Sequence, residues 1–171
     1  MLILEPEIFV DERGFFLKSY HERVFRHTAG IDARFVQDNH SRFVHNVLRS
    51  LHYQIQQPQG KLVRVVVGEI FDMAVDLRRS SATFGRWMGQ RLSAENRRML
   101  WIPAGFAHGF LALSEAAEVL YKTTDYYAPH HERCIAWNDA HLGISWPLAG
   151  APIISDKDRR GVALQSAATF P

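Results

Sequence analysis

VLRSLHYQIQQPQGK (47–61) is the stretch from which the fold is read. Val47 to Gln54 is a short apolar run carrying Arg49 and His52, Pro58 and Gly60 mark a turn, and Lys61 opens a second run. Such runs, bounded by Gly and Pro, predict a strand, a hairpin connection and the start of another strand. A hairpin of this kind would hold an imidazole and an ammonium near each other on rigid elements, which an active site needs.

The same grammar extends in both directions. LILEPEIFV (2–10) reads as a strand interrupted at Pro6, suited to a sheet edge because proline cannot donate to a ladder. DERG (11–14) is a turn. Ser19 with Glu22 makes a capping-box pattern, Tyr20, Val24 and Phe25 form a helical stripe, and Gly30 sits where a C-terminal cap belongs, so one substantial helix is predicted here. From Phe35 onward short runs alternate with turns: FVQDNHS (35–41), KLVRVVVG (61–68), EIFDMAVDLR (69–78), WMGQRLS (87–93), MLWIPAGFAHGFLALS (99–114) and AEVLYKTTDYYAP (117–129). Phe71, Met73, Val75 and Leu77 alternate with Asp72, Ala74 and Asp76, predicting a half-buried antiparallel strand with one face on the core. SDKDRRGVALQ (155–165) suits a short helix at one end. The fold class is therefore all-β, a sandwich or jelly-roll barrel.

The 171 residues, 47% hydrophobic, suit one domain spanning 1–171, and no linker or repeat divides them. A net charge of +2 with scattered Lys and Arg gives no nucleic-acid-binding surface but leaves room for a small anionic ligand. The single cysteine, Cys134, excludes an intrachain disulfide, and Glu5, Glu7, Asp11 and Glu12 break any signal-peptide pattern, so a cytoplasmic location is expected. No apolar run approaches the ~20 residues of a membrane span.

Taken singly, His52 and His108 read as surface or core histidines. The setting of His108 in WIPAGFAHGF (101–110), with a proline and two glycines, fits a close approach of backbone to something else, or an ordinary turn. Pro103, Gly105 and His108 have the PxGxxH spacing of metal-binding cupins. The companion HxH motif is here His52-Tyr53-Gln54, with Lys61 nearby, and an amide is a poor replacement for imidazole at a transition metal. A cupin-like barrel without a metal is expected.

RGFF (13–16), FVQDNHS (35–41), VLRSLHYQ (47–54), QGKLVRV (59–65), LSAEN (92–96), LWIPAGFAHGF (100–110), LYKTTDYYAP (120–129) and SDKD (155–158) occur together and in this order, and the chain resembles the dTDP-4-dehydrorhamnose 3,5-epimerase family over nearly its whole length. The resemblance implies a double-stranded β-helix jelly roll with a few short peripheral helices, a homodimer, a dTDP-linked 4-keto-6-deoxyhexose substrate, no cofactor, and a place in dTDP-rhamnose and polysaccharide biosynthesis. The chemistry is self-sufficient. The protons on C3 and C5 are both α to the ketone, so a base, a donor for the oxyanion and an acid on the opposite face are enough.

Matched motif to motif, the resemblance makes His52 the base, Asp158 its carboxylate partner, Tyr121 the acid and Lys61 the enolate stabiliser, with His108 near the same pocket. It places Arg13, Lys18, Gln37, Asn39, Arg49, Glu132 and Lys157 on the sugar nucleotide, and Tyr127 on the thymine. Arg13, Arg49 and Lys157 suit the diphosphate. Lys18 stands where the family usually has a glutamate, and Ser50 where it has a glycine. Arg49 and His52 differ in strand parity, so a bulge, a rim position or a neighbouring subunit is required if both serve one pocket. An epimerase of C3 alone and a catalytically silent sugar-nucleotide binder are the alternatives.

Overall fold

Period-two alternation in short segments calls for sheets that each have something to bury. The computed structural model describes all 171 residues. Its elements are β1 (Leu2–Leu4), β2 (Ile8–Asp11), β3 (Gly14–Leu17), α1 (Glu22–Ala29), β4 (Gln37–Val44), β5 (Leu48–Gln54), β6 (Lys61–Val67), β7 (Glu69–Asp76), β8 (Trp87–Ser93), β9 (Met99–Ile102), β10 (Phe106–Ala112), β11 (Ala116–Thr123), β12 (Glu132–Ile135) and α2 (Asp156–Arg159). Two five-stranded sheets face each other, ordered β1-β9-β6-β11-β4 and β12-β5-β10-β7-β8, while β2 and β3 form a separate ribbon. From β4 to β12 the chain changes sheet at every step except β7 to β8, and the named strands pair antiparallel. This is the expected jelly roll.

The crossing pattern corrects the reading of residues 47–61. β5 and β6 are not a hairpin: β5 lies between β12 and β10, and β6 lies between β9 and β11 in the opposite sheet. Six residues separate them, enough to span the ~10 Å between packed sheets. Gln57 takes a left-handed φ of 52° in this connection, and the Gly60 N–H donates to Thr124 Oγ1 at 2.8 Å. His52 and Lys61 thus come from opposite walls of the barrel.

Both faces of each sheet are covered. Val63, Val65, Ile70, Ala74, Leu100, Phe110 and Val119 fill the interior. Leu51, Tyr53, Met73, Val75 and Leu77 point outward from the second sheet and are sealed by Leu142, Ala167 and neighbouring C-terminal residues. Leu62 and Met99 do the same on the first sheet, under Phe25 and Ile31 at α1. β7 is therefore buried on both sides, not half-buried: Asp72 and Asp76 are 0% and 1% exposed. Their face is the barrel interior, because the apolar alternates are taken by the outer cover.

The predicted helix is present but starts later than its capping box. His21 is the N-cap, makes no side-chain cap bond, and leaves Ser19 outside the helix. The C-terminal end matches: Gly30 has φ 65° and its N–H bonds Phe25 O. Pro6 separates β1, an edge strand, from β2. The short helix expected in the last segment is α2, whose N-cap Ser155 accepts from the Asp158 N–H.

One irregularity positions the interior. His108 on β10 faces His52 on β5 and Phe110 faces Arg49, so two steps on β10 span three on β5. This bulge turns Arg49 and His52 to the same side, the requirement that parity imposed. Gly109 makes it possible, since a Cβ there would sit 2.6 Å from Arg49 O and 2.8 Å from Ser50 O. Gly109→Ala is expected to cost about 1–3 kcal/mol, the usual range for overpacking. Thermal unfolding checks this, and an unchanged Tm would mean that the bulge has room to spare.

Candidate active site

The inner faces of both sheets converge on one cluster of polar groups. On β5, His52 is 7% exposed and its Nε2 lies 2.6 Å from Asp158 Oδ1. Burial opposes ionisation of Asp158, yet hydrogen bonds from His52 and Ser155 hold its carboxyl down at about 2. As an ionised carboxylate only accepts, His52 carries its proton on Nε2. The Ser50 N–H, at the bulge, donates to the same Oδ1 at 3.1 Å, and Ser155 Oγ donates to Oδ2 at 2.6 Å. Three donors thus fix this carboxylate.

The other ring nitrogen, Nδ1, makes no aligned hydrogen bond, although Glu132 Oε1 stands 3.0 Å away out of line. Glu132 arrives here because β12 pairs with β5, Cys134 opposite His52 and Glu132 opposite Gln54. Its other oxygen accepts from Tyr127 OH at 2.6 Å and from Lys157 Nζ. Burial penalises the Glu132 charge, but His52, Lys157 and Tyr127 outweigh it and keep the carboxyl well below the ordinary range.

A second histidine–carboxylate pair lies beside the first. His108 Nε2 is 2.6 Å from Asp72 Oδ1, and both residues are buried. Burial lowers the His108 pKa, with Lys61 and Arg49 adding to the effect against the pull of Asp72. Burial also lowers the Lys61 ammonium to about 8, helped by Arg49 and opposed by Asp72 and Glu132. Arg49 lies over the Phe110 ring, 6.0 Å from its centroid. Sequence reading missed Asp72 because it assigned the strand only one buried face. An acid sharing parity with inward Ile70 and Ala74 was the available signal.

The opposite sheet contributes Gln37, Asn39 and Ser41 from β4, Tyr121 from β11 and Lys61 from β6. Tyr121 is paired across the ladder with Asn39 and Val63 and packs against the interior cluster. Gln37 Nε2 donates to Asn39 Oδ1 at 2.8 Å, whereas Asn39 Nδ2 and Ser41 Oγ are buried without partners. Buried polar groups without partners are suited to a ligand rich in hydroxyls. Gln37 Oε1 accepts from the Tyr127 N–H at 3.2 Å.

Gln54, which stands in the cupin-type HxH motif, spends its amide on backbone: Nε2 donates to Gln57 O and Tyr126 O, and Oε1 accepts from the Ala128 N–H. It fixes the loop presenting Tyr127 and offers nothing to a metal. His52, Cys134 and Asp158 do bring N, S and O atoms within 4.8 Å of one another. The Nε2 and Oδ1 of that set already share a proton. Arg13 and Lys18 stand apart from the cluster. Arg13 is at the exposed β2–β3 turn and pairs with Asp11, while Lys18 lines a surface groove beside β1 and α1.

A buried histidine held by a carboxylate on one wall, facing a sheet that carries a tyrosine, a lysine and unpartnered polar groups, is a set of side chains suited to moving protons inside a cupin-like barrel. The chain belongs to the dTDP-4-dehydrorhamnose 3,5-epimerase family, whose model matches residues 1–166. It is similar to the Pseudomonas aeruginosa dTDP-4-dehydrorhamnose 3,5-epimerase, 62% identical over 100% of this chain and 94% of that one. Among solved structures it resembles the Legionella pneumophila epimerase in complex with dTDP-4-keto-L-rhamnose, with a TM-score of 0.95, 52% identity and coverage of 97% and 88% of the two chains. A 3'-monoepimerase from Streptomyces bikiniensis, in complex with dTDP-quinovose, shares the fold with a TM-score of 0.90 at 34% identity, covering 96% and 84%.

The bonds that lower the Asp158 pKa stabilise the fold above its ordinary value of 3.8, and this contribution disappears as pH falls through about 2. Urea unfolding of wild type and Asp158→Asn is expected to show a stability difference that is constant above about pH 5 and shrinks between 3.8 and about 2. A difference independent of pH across that window would show that ionised Asp158 holds no folded-state advantage.

Proposed function

We propose that this chain epimerises dTDP-4-dehydro-6-deoxy-D-glucose at C3 and C5 to dTDP-4-dehydro-L-rhamnose, with its own side chains as the whole acid–base apparatus of a single domain. The observation that carries this reading is the placement of His52 and Tyr121 on facing sheets, because inversion removes a proton from one face of a ring and returns one to the other. His52 is the base. It takes the proton on Nδ1, the nitrogen turned away from Asp158, and the resulting imidazolium is stabilised through Nε2 by Asp158, a role familiar from other histidine–aspartate pairs.

Electrons from the broken C–H bond pass into the C4 ketone. Lys61 stabilises the enolate oxygen, with His108, held in place by Asp72, lining the site beside it. An ammonium with a pKa near 8 is mostly charged at neutral pH and can share its proton with an oxyanion. Tyr121 then delivers its proton from the opposite wall. Gln37 and Asn39 hold the sugar, Arg49 and Lys157 the diphosphate, and Tyr127 stacks on the thymine with Glu132 beside the sugar. The 52% identity with an epimerase bound to dTDP-4-keto-L-rhamnose, against 34% for the 3'-monoepimerase, favours inversion of both centres.

Deuterium incorporation from D2O into dTDP-4-keto-6-deoxyglucose, followed by NMR at C3 and C5 separately, tests the reading. Exchange at both positions is expected. His52→Ala should lower it by about 10²- to 10⁴-fold, the usual contribution of a positioned acid–base group. Tyr121→Phe should retain exchange but lose inversion. Full epimerisation by His52→Ala would remove the assigned base, and exchange confined to C3 would make this a single-centre enzyme.

A homodimer completes the picture. Phe9, Val10, Phe15 and Phe16 on the β2–β3 ribbon are exposed, as are Leu2 and Ile3 on the edge strand β1. Apolar surface on a protruding ribbon suits a second copy of the chain. Arg13 and Lys18, remote from their own barrel's cluster, are then free to serve the partner's site. No helix is long and apolar enough to cross a membrane, and the sugar-nucleotide substrate fits a cytoplasmic location. Light scattering on the purified protein should give twice the 19.6 kDa chain mass. A monomer with full activity would show that Arg13 and Lys18 have no place in catalysis.

A further inference from the structure

Counting protons exposes a need that base and acid do not meet. The first inversion leaves a proton on His52 and a phenolate at Tyr121. The second centre needs a neutral imidazole and a protonated phenol, while the same sugar is still bound. One proton must therefore leave the buried base between the two inversions, and one must reach Tyr121.

Asp158 cannot be the outlet. Its Oδ1 already accepts from His52 Nε2 and the Ser50 N–H, its Oδ2 accepts from Ser155, and it is 6% exposed. Glu132 is placed differently. Oε1 lies 3.0 Å from Nδ1 but out of line with it, so this nitrogen is close to the carboxylate without being committed to it. Oε2 accepts from Tyr127 OH and Lys157 Nζ, and both of these residues reach solvent, Tyr127 at 53% exposure. One carboxylate thus links the enclosed base to the protein surface.

We propose that Glu132 is the proton outlet of His52, positioned to reset the base between the inversions at C5 and C3. This rests on His52 as the base and adds to Glu132 a task beyond ligand contact. The abstracted proton passes from Nδ1 to Oε1 as the carboxyl swings into line, and because His52, Lys157 and Tyr127 keep Glu132 strongly acidic it moves straight on to water at the exposed Tyr127–Lys157 edge. Water also returns a proton to the Tyr121 phenolate, so each inversion closes with the enzyme in its starting protonation state and no further reactant consumed.

The test is Glu132→Gln, saturated with dTDP-4-keto-6-deoxyglucose and followed by rapid quench and NMR. Because Glu132 also stands beside the sugar, both inversions should slow, and the second should fall at least about tenfold further than the first. Singly inverted sugar should accumulate, and added formate, a diffusible carboxylate, should restore the second step in a concentration-dependent way. Glu132→Asp, which keeps a carboxylate, should stay closer to wild type, and its ratio of the two rates decides the matter if Glu132→Gln does not fold. Equal slowing of both inversions without a response to formate would reduce Glu132 to a ligand contact, and no change in either rate would remove it from proton transfer. His52→Asn run alongside separates the premise from the proposal: exchange surviving there overturns the base, whatever Glu132 does.

Discussion

One extra residue in β5 governs the site. Without the bulge against β10, strand parity would send either Arg49 or His52 into the outer apolar layer occupied by Leu51 and Tyr53. With it, both face the interior, and the Ser50 N–H is turned out to meet Asp158 on α2. That bond anchors the short C-terminal helix to the base it supports. Gly109 is the matching concession on the other strand, because only a residue without Cβ lets the bulge carbonyls come so close.

The two-walled barrel fits the chemistry of inversion. Sheets packed ~10 Å apart bring side chains of the two walls within reach of each other, so that groups from both can address one sugar ring. The chain's habit of changing sheets puts His52 near the end of β5 and Lys61 at the start of β6 in the other sheet, nine residues later. A hairpin would have placed them side by side in one wall, with no room for a ring between. The mistaken hairpin and the resulting site therefore have the same cause.

Much of this was legible in the sequence. The strands from β4 to β11 followed from alternation and turn residues, and the parity conflict between Arg49 and His52 left a bulge, a rim position or a neighbouring subunit as its resolutions, of which the ladder shows the bulge. What failed did so for tertiary reasons. The 47–61 connection has the composition of a hairpin, and only the pairing of β5 with β10 and β6 with β11 decides otherwise. Ser19 and Glu22 have capping-box spacing, but the chain turns into α1 only at His21. Asp72 was hidden because a strand buried on both faces shows the same alternation as one half in water. Local pattern does not report what covers the second face.

Electrostatics divides the two histidines that the ladder sets directly opposite each other. His52 has carboxylates at both ring nitrogens, Asp158 and Glu132. His108 has a single carboxylate, Asp72, and shares its surroundings with Lys61 and Arg49, which add to burial in disfavouring its charge. His108, whose Nε2–H is taken by Asp72, is kept neutral among cations and so does not compete for the substrate's proton. Lys61, lowered to about 8 by the same burial, supplies the charge that His108 withholds. The division of labour follows from which acids and cations each strand carries inward.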